Sequence, residues 1–166
     1  MYHKNISMNT IDISELKKLL TQLEHAIPDF EMKNLSISNS NIGWHIEHSL
    51  LVFNGIIETL SKSNPKDYTW KLNFKRIVVF AKRKIPRGIA KAPKVVIPKE
   101  NYSIESLLQH IEKTKIKLEE LRKLNPKQFF NHPGFGNLRL KKTIQFLEIH
   151  TQHHLEIIAD IERGEE

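Results

Sequence analysis

Four amphipathic stretches, unevenly spaced, constrain this chain more than any other feature. Apolar residues recur at helical spacing in Ile13–His25, Ile42–Ser61, Ser103–Leu124 and Leu138–Arg163. In the first, Leu16, Leu19, Leu20 and Leu23 form one stripe, Asp12 or Ser14 can cap the start, and Pro28 follows the end. The second, IGWHIEHSLLVFNGIIETLS, is apolar most of the way round and is predicted to be heavily buried, with Ser40 or Asn41 as its cap. The third opens at Ser103 in a capping-box-like stretch and stops before Pro126. Ile104, Leu107, Leu108, Ile111, Ile116, Leu118 and Leu121 are its apolar residues. The fourth is predicted to be capped by Asn137 and to stop at Gly164.

The connection from 62 to 101 is far longer than the two to eight residues usual between neighbouring helices. Within it, LNFKRIVVFAKRK (72–84) suits a strand by its Ile-Val-Val-Phe run. No second convincing strand is present to pair with it, so a short helix is the expectation. Four helices with one long crossover between the second and third describe an all-α four-helix bundle. With 166 residues, the chain suits a single domain over 1–166.

Cysteine is absent, which excludes disulfides, zinc–thiolate sites and a cysteine nucleophile. No Gly-rich phosphate loop, Ser–His–Asp signature or paired-carboxylate motif is present. No apolar run reaches the roughly 18–20 residues that cross a bilayer. The start, MYHKNISMNTIDISELKK, lacks a signal-peptide layout, so a cytoplasmic location without membrane partners is expected. The net charge is +7, and residues 68–99 hold ten Lys or Arg and no Asp or Glu. Such a stretch is either a solvated basic loop or a polyanion-binding surface. Tyr68, Trp70, Phe74 and Phe80 can stack bases or pin the crossover to the helices. No nucleic-acid motif accompanies them, so nucleic acid is not the expected partner.

The fourth stretch contains IHTQHHLEII (149–158). At about 100° per residue, His150 and His154 share an arc of about 140° with Leu140, Ile144, Leu147, Ile157, Ile158 and Ile161, whereas His153 falls outside it. Two histidines one turn apart on a buried face can reach one metal ion. They can equally be core residues bonded to the backbone. His48 lies with Trp44, Leu51 and Val52 on a face of the second helix and offers a third ligand. Each unpaired buried polar group costs roughly 1–3 kcal/mol, and one ion would satisfy all three imidazoles. A three-histidine set suits a divalent metal (Zn, Ni or Fe, with Cu also fitting the donors) and leaves coordination positions open. Catalytic residues beyond these ligands are not identified.

His132, in NHPGFG, either reaches the pocket mouth as an acid, base or substrate contact, or caps a helix end within a structural loop in which Gly136 permits a tight turn. Trp44 either lines the pocket or packs in the core. Glu47 can serve as an outer partner of the site, but its helical position places it towards solvent or a neighbouring loop. His45, close to the helix start, is expected to meet solvent. His3, His25, His110 and His153 are read as surface or packing residues.

Trp44 four residues before His48, HxxxH at His150 and His154, and NHPGFGNL at 131–138 together resemble the DinB-like superfamily of metal-binding four-helix bundles. The last segment is similar to the HPxFG motif of a branch of unknown function, with Gly134 where a second aromatic is often found. The resemblance implies an up-down-down-up bundle, a metal at His48, His150 and His154, and frequent homodimers. It also implies a small-molecule substrate, with some members transferring a low-molecular-weight thiol such as bacillithiol, mycothiol or glutathione. Two functions therefore stand at this point: a metal-dependent transferase or hydrolase, and a non-enzymatic metal- or polyanion-binding module.

Overall fold

The computed structural model describes residues 11–88, 92–99 and 101–164. These residues are mostly helical, with one small two-stranded sheet. The helices are α1 (Ser14–His25), α2 (Ile42–Lys62), α3 (Phe74–Lys82), α4 (Ile104–Leu118) and α5 (Leu140–Arg163). The strands are β1 (Phe129–His132) and β2 (Gly136–Arg139). The four amphipathic stretches are all helical, and the crossover contains the expected short helix.

Local chemistry explains most of the boundaries. The Asp12 carboxylate accepts the Ser14 backbone N–H at the start of α1. The Asn41 side chain accepts the Trp44 N–H and caps α2. At α4, Ser103 and Ser106 cap each other reciprocally. Gly164 ends α5 in the left-handed conformation, with φ 65°. The last carbonyls of α2 are taken up from outside, because the Gln128 amide donates to Leu60 O and Ser61 O.

Helix α2 packs against α4 and α5, and α1 packs against the same two helices. Leu16, Leu20 and Leu23 of α1 meet Ile46, Leu50, Phe53 and Ile57 of α2 in one buried cluster. Leu107 and Ile111 of α4 and Leu147 and Ile158 of α5 complete its centre. Each such side chain contributes about 1.5–3 kcal/mol on burial.

The structure departs from the sequence-based expectations at three places. First, α4 ends at Leu118 and passes into a 3₁₀ turn, Glu119–Lys123. Ile104, Leu108 and Ile116 are exposed rather than in the core. Ile116 lies about 140° around the helix from buried Ile111, and Ile104 sits in the first turn. Second, α5 starts at Leu140, and Asn137 is not its cap. The Asn137 amide instead donates to Thr69 O. Third, residues 129–139 form an antiparallel hairpin, with His132 paired to Gly136 and Phe129 to Arg139. Its strands have four residues each, too short for an alternating pattern to be visible in the sequence. Gly136, at φ 71°, supplies the left-handed residue that closes its three-residue loop.

The crossover is fastened to α5 by Arg83–Glu148 (2.9 Å) and Arg87–Asp160 (2.7 Å) ion pairs. At the start of α2, Gly43 allows a close approach: a Cβ there would stand 2.5 Å from the Tyr102 ring and 3.1 Å from that of Phe30. The Tyr102 hydroxyl is tied to Asn41 Oδ1 at 2.6 Å, so the ring cannot simply swing away. Gly43→Ala is therefore expected to lower stability by about 1–3 kcal/mol, read from urea unfolding. An unchanged midpoint would show that the Tyr102 contact yields freely.

Candidate metal centre

Helices α2 and α5 face each other across a set of imidazoles. One ring nitrogen from each of His48, His150 and His154 lies within 4.8 Å of the other two. His48 and His154 are buried, at 4% and 7% exposure. His150 is half-buried as a residue, but its Nδ1 is sealed from solvent and has no hydrogen-bond partner. The three predicted ligands thus come together, and this geometry can hold a metal ion.

Hydrogen bonds around the cluster determine which nitrogens remain for a metal. His48 Nδ1–H donates to Val96 O at 2.8 Å, leaving Nε2 with its lone pair. Val96 belongs to the 3₁₀ turn Lys94–Val96 of the crossover, so that segment orients a ligand ring. His154 Nδ1 lies 3.0 Å from His45 Nδ1, and His45 Nε2 lies 3.0 Å from Ser38 Oγ. A single proton arrangement uses all these contacts and leaves His154 Nε2 for an ion. In it His154 Nδ1–H donates to His45 Nδ1, and His45 Nε2–H donates to Ser38 Oγ. The Ser40 N–H also donates to Ser38 Oγ and fixes it. Outer partners of this type are typically worth 10–100-fold in metal affinity.

His45 is the residue that sequence reasoning missed. It is buried at 3% exposure rather than solvent-facing. The signal was present, since His45 and His48 are only about 60° apart on the helix. Proximity to the helix start was misleading, because residues 30–40 and the crossover cover that end: Met32 O and Phe30 O accept the Ile42 and Gly43 N–H groups. Trp44 is half-buried and stacks on His48 with centroids 4.9 Å apart, so it lines the cluster.

His132 stands apart from the ligand set. Its Nδ1 accepts the Gly134 and Phe135 N–H groups at 3.0 and 3.1 Å, and its ring stacks on Phe135. It holds the hairpin turn, and Phe146 links it to His150 through ring contacts. Glu47, placed towards solvent or a neighbouring loop, and His110, read as a surface or packing residue, bond each other at 2.9 Å, and His110 Nε2 accepts from the Asn54 amide. That pair belongs to the α2–α4 seam. His153 packs its ring against His154 without joining the set.

Burial holds every imidazole of the cluster below the ordinary histidine pKa. It pushes His150 and His154 well below, and the neighbouring histidines push in the same direction. His48 is lowered by burial, partly opposed by its bond to Val96. Burial brings His45 down to about 4, with His48, His153 and Arg87 adding to the effect, and alone brings His132 to about 4. Neutral imidazole is the form that ligates a metal. Two surface clefts, of about 230 and 450 Å³, lie along α1 and α5, and neither is lined by a histidine of the cluster. Compared with family models, curated proteins and solved structures, the chain shows no match.

A pH dependence follows from the neutral burial. In the unfolded chain these histidines take up protons near pH 6.5, whereas folded His45 and His132 do so only near 4. Their contribution is therefore complete above about 6.5 and is lost as the pH falls towards 4. Urea unfolding of the metal-free protein is expected to lose roughly 1–2 kcal/mol per such histidine between about pH 6.5 and 5. A midpoint that stays flat through that window would contradict neutral burial.

Proposed function

We propose that this chain is a DinB-like four-helix bundle in which His48, His150 and His154 bind one divalent metal, Zn, Ni or Fe, that activates a thiol or water. The packing of α1 and α2 against both α4 and α5, with the long connection between α2 and α4, supports the bundle reading. The observation that carries the metal reading is the convergence of His48, His150 and His154, with one ring nitrogen of each within 4.8 Å of the other two. A His150 nitrogen, Nδ1, is also sealed from solvent without a hydrogen-bond partner, a state that costs about 1–3 kcal/mol.

The donor set also points to the chemistry. All three ligands are neutral, and no carboxylate belongs to the set. A divalent ion there keeps its full charge, so an anionic ligand such as a thiolate or hydroxide suits the remaining position. When bound, the metal supplies Lewis acidity that lowers the pKa of a thiol or water into the neutral range. The protein's own groups do the rest. Val96 O and His45 fix the rings of His48 and His154. Trp44 stacks on His48 and covers one side of the cluster. Arg87 lies close enough to His45 and His153 to disfavour their protonation.

The test is single-turnover consumption of glutathione or bacillithiol with a broad electrophile, alongside ester hydrolysis, on Zn-, Ni- and Fe(II)-loaded protein. Metal-loaded protein is expected to exceed metal-free protein by about 100-fold or more, with the gain lost in His150→Ala. Stoichiometric metal without any metal-dependent rate would instead make the chain a non-enzymatic metal holder.

A further inference from the structure

Helix α3 is apolar on two sides, and only one of them is covered. With Phe74 as the reference, Val79, Arg76 and Phe80 occupy about 140–240° around the helix. Val79 and Phe80 are buried against the body. Ile77, Ala81, Phe74 and Val78 occupy the opposite arc of about 100°. On that arc Phe74 is 73% exposed, Val78 52% and Ile77 48%, and Trp70 and Leu72, which lead into the helix, are also exposed. An apolar face of this kind on a folded chain marks a contact with something else.

The charges around it define the partner. Lys82 and Lys75 lie together at about 80–100°, on the border of the exposed arc. Lys71, Lys75, Lys82 and Lys84 are exposed and form no ion pair among the described residues. Arg83 and Arg87 are already paired with Glu148 and Asp160. No Asp or Glu occurs anywhere from 68 to 99. A second copy docking through this face would set lysines against lysines. A nucleic acid would use the lysines and the aromatic rings but gain nothing from Leu72, Ile77 and Val78. A peptide partner usually needs a groove to occupy. This face is the convex side of one helix, and neither described cleft is lined by it.

An anionic lipid surface matches every element. Acyl chains accept Phe74, Ile77, Val78 and Leu72, phosphate headgroups accept the lysines, and tryptophan prefers the depth between them. We propose that α3 and residues 70–72 rest in the interface of an anionic membrane, with the helix parallel to the surface. No helix among the described residues is long and apolar enough to cross a bilayer; lying on one requires a face rather than a span. The proposal is independent of the metal reading, since none of these residues belongs to the imidazole cluster.

The test is vesicle flotation of the full chain with phosphatidylcholine alone and with phosphatidylcholine containing one-third phosphatidylglycerol. The variants are Phe74→Ser/Val78→Ser and Lys75→Gln/Lys82→Gln, all at exposed positions, with helicity and urea midpoint checked first. Partition into anionic vesicles is expected, roughly tenfold weaker into neutral ones and weakened by salt. Each double variant is expected to lose roughly tenfold or more. Absence of partition into anionic vesicles, or partition that ignores the Phe74/Val78 change, would overturn the proposal. Binding of a single-stranded oligonucleotide without vesicle binding would overturn it too, and would assign the lysines to nucleic acid.

Discussion

An imidazole nitrogen sealed inside a protein must be bonded, and the region between α2 and α5 is arranged around that requirement. Four histidine rings, His45, His48, His150 and His154, lie against one another there, His48–His154 and His150–His154 edge to face and the other pairs tilted. Burial keeps them neutral, and a neutral imidazole has one donor and one acceptor nitrogen. Val96 O takes the donor of His48, and His45 takes that of His154. Among the described residues, the Nε2 atoms of His48 and His154 and Nδ1 of His150 then form no hydrogen bond. Leucine at any one of these positions would remove a polar cost, whereas the three rings together can hold one ion.

Much of this was legible from spacing. The stripes in α1, α2 and α5 follow the helical period closely, and the same rotation that put His150 and His154 among isoleucines also put His48 on the matching face of α2. The short helix α3 could be inferred because a lone strand has no partner. Other features depend on contacts between distant segments, which local pattern does not encode. His45 is buried because residues from 30 to 40 close over the start of α2. His110 finds Glu47 because α2 and α4 are neighbours. The hairpin was missed because its two strands are short and its register rests on His132 receiving two turn N–H groups. Periodicity overstated α4: Ile116 belongs to the run by composition and to the surface by angle.

The crossover is the part of the chain whose role changes most between sequence and structure. As a basic run it could have been an inert loop. In the fold it is strapped to α5 by Arg83 and Arg87, delivers the Val96 carbonyl to His48, and presents an uncovered apolar helix face between unpaired lysines. One segment thus touches the candidate metal ligands at one end and offers a surface at the other.

In the proposed site one metal is shared by two helices. Elemental mass spectrometry tests it most directly, on protein purified without a metal-affinity tag or chelator, beside His48→Ala and His154→Ala. About one equivalent of Zn, Ni or Fe is expected in the parent protein, and its loss in each variant. A parent that carries no divalent metal and takes up none from added Zn, Ni or Fe(II) would contradict it, and these histidines would then be packing residues.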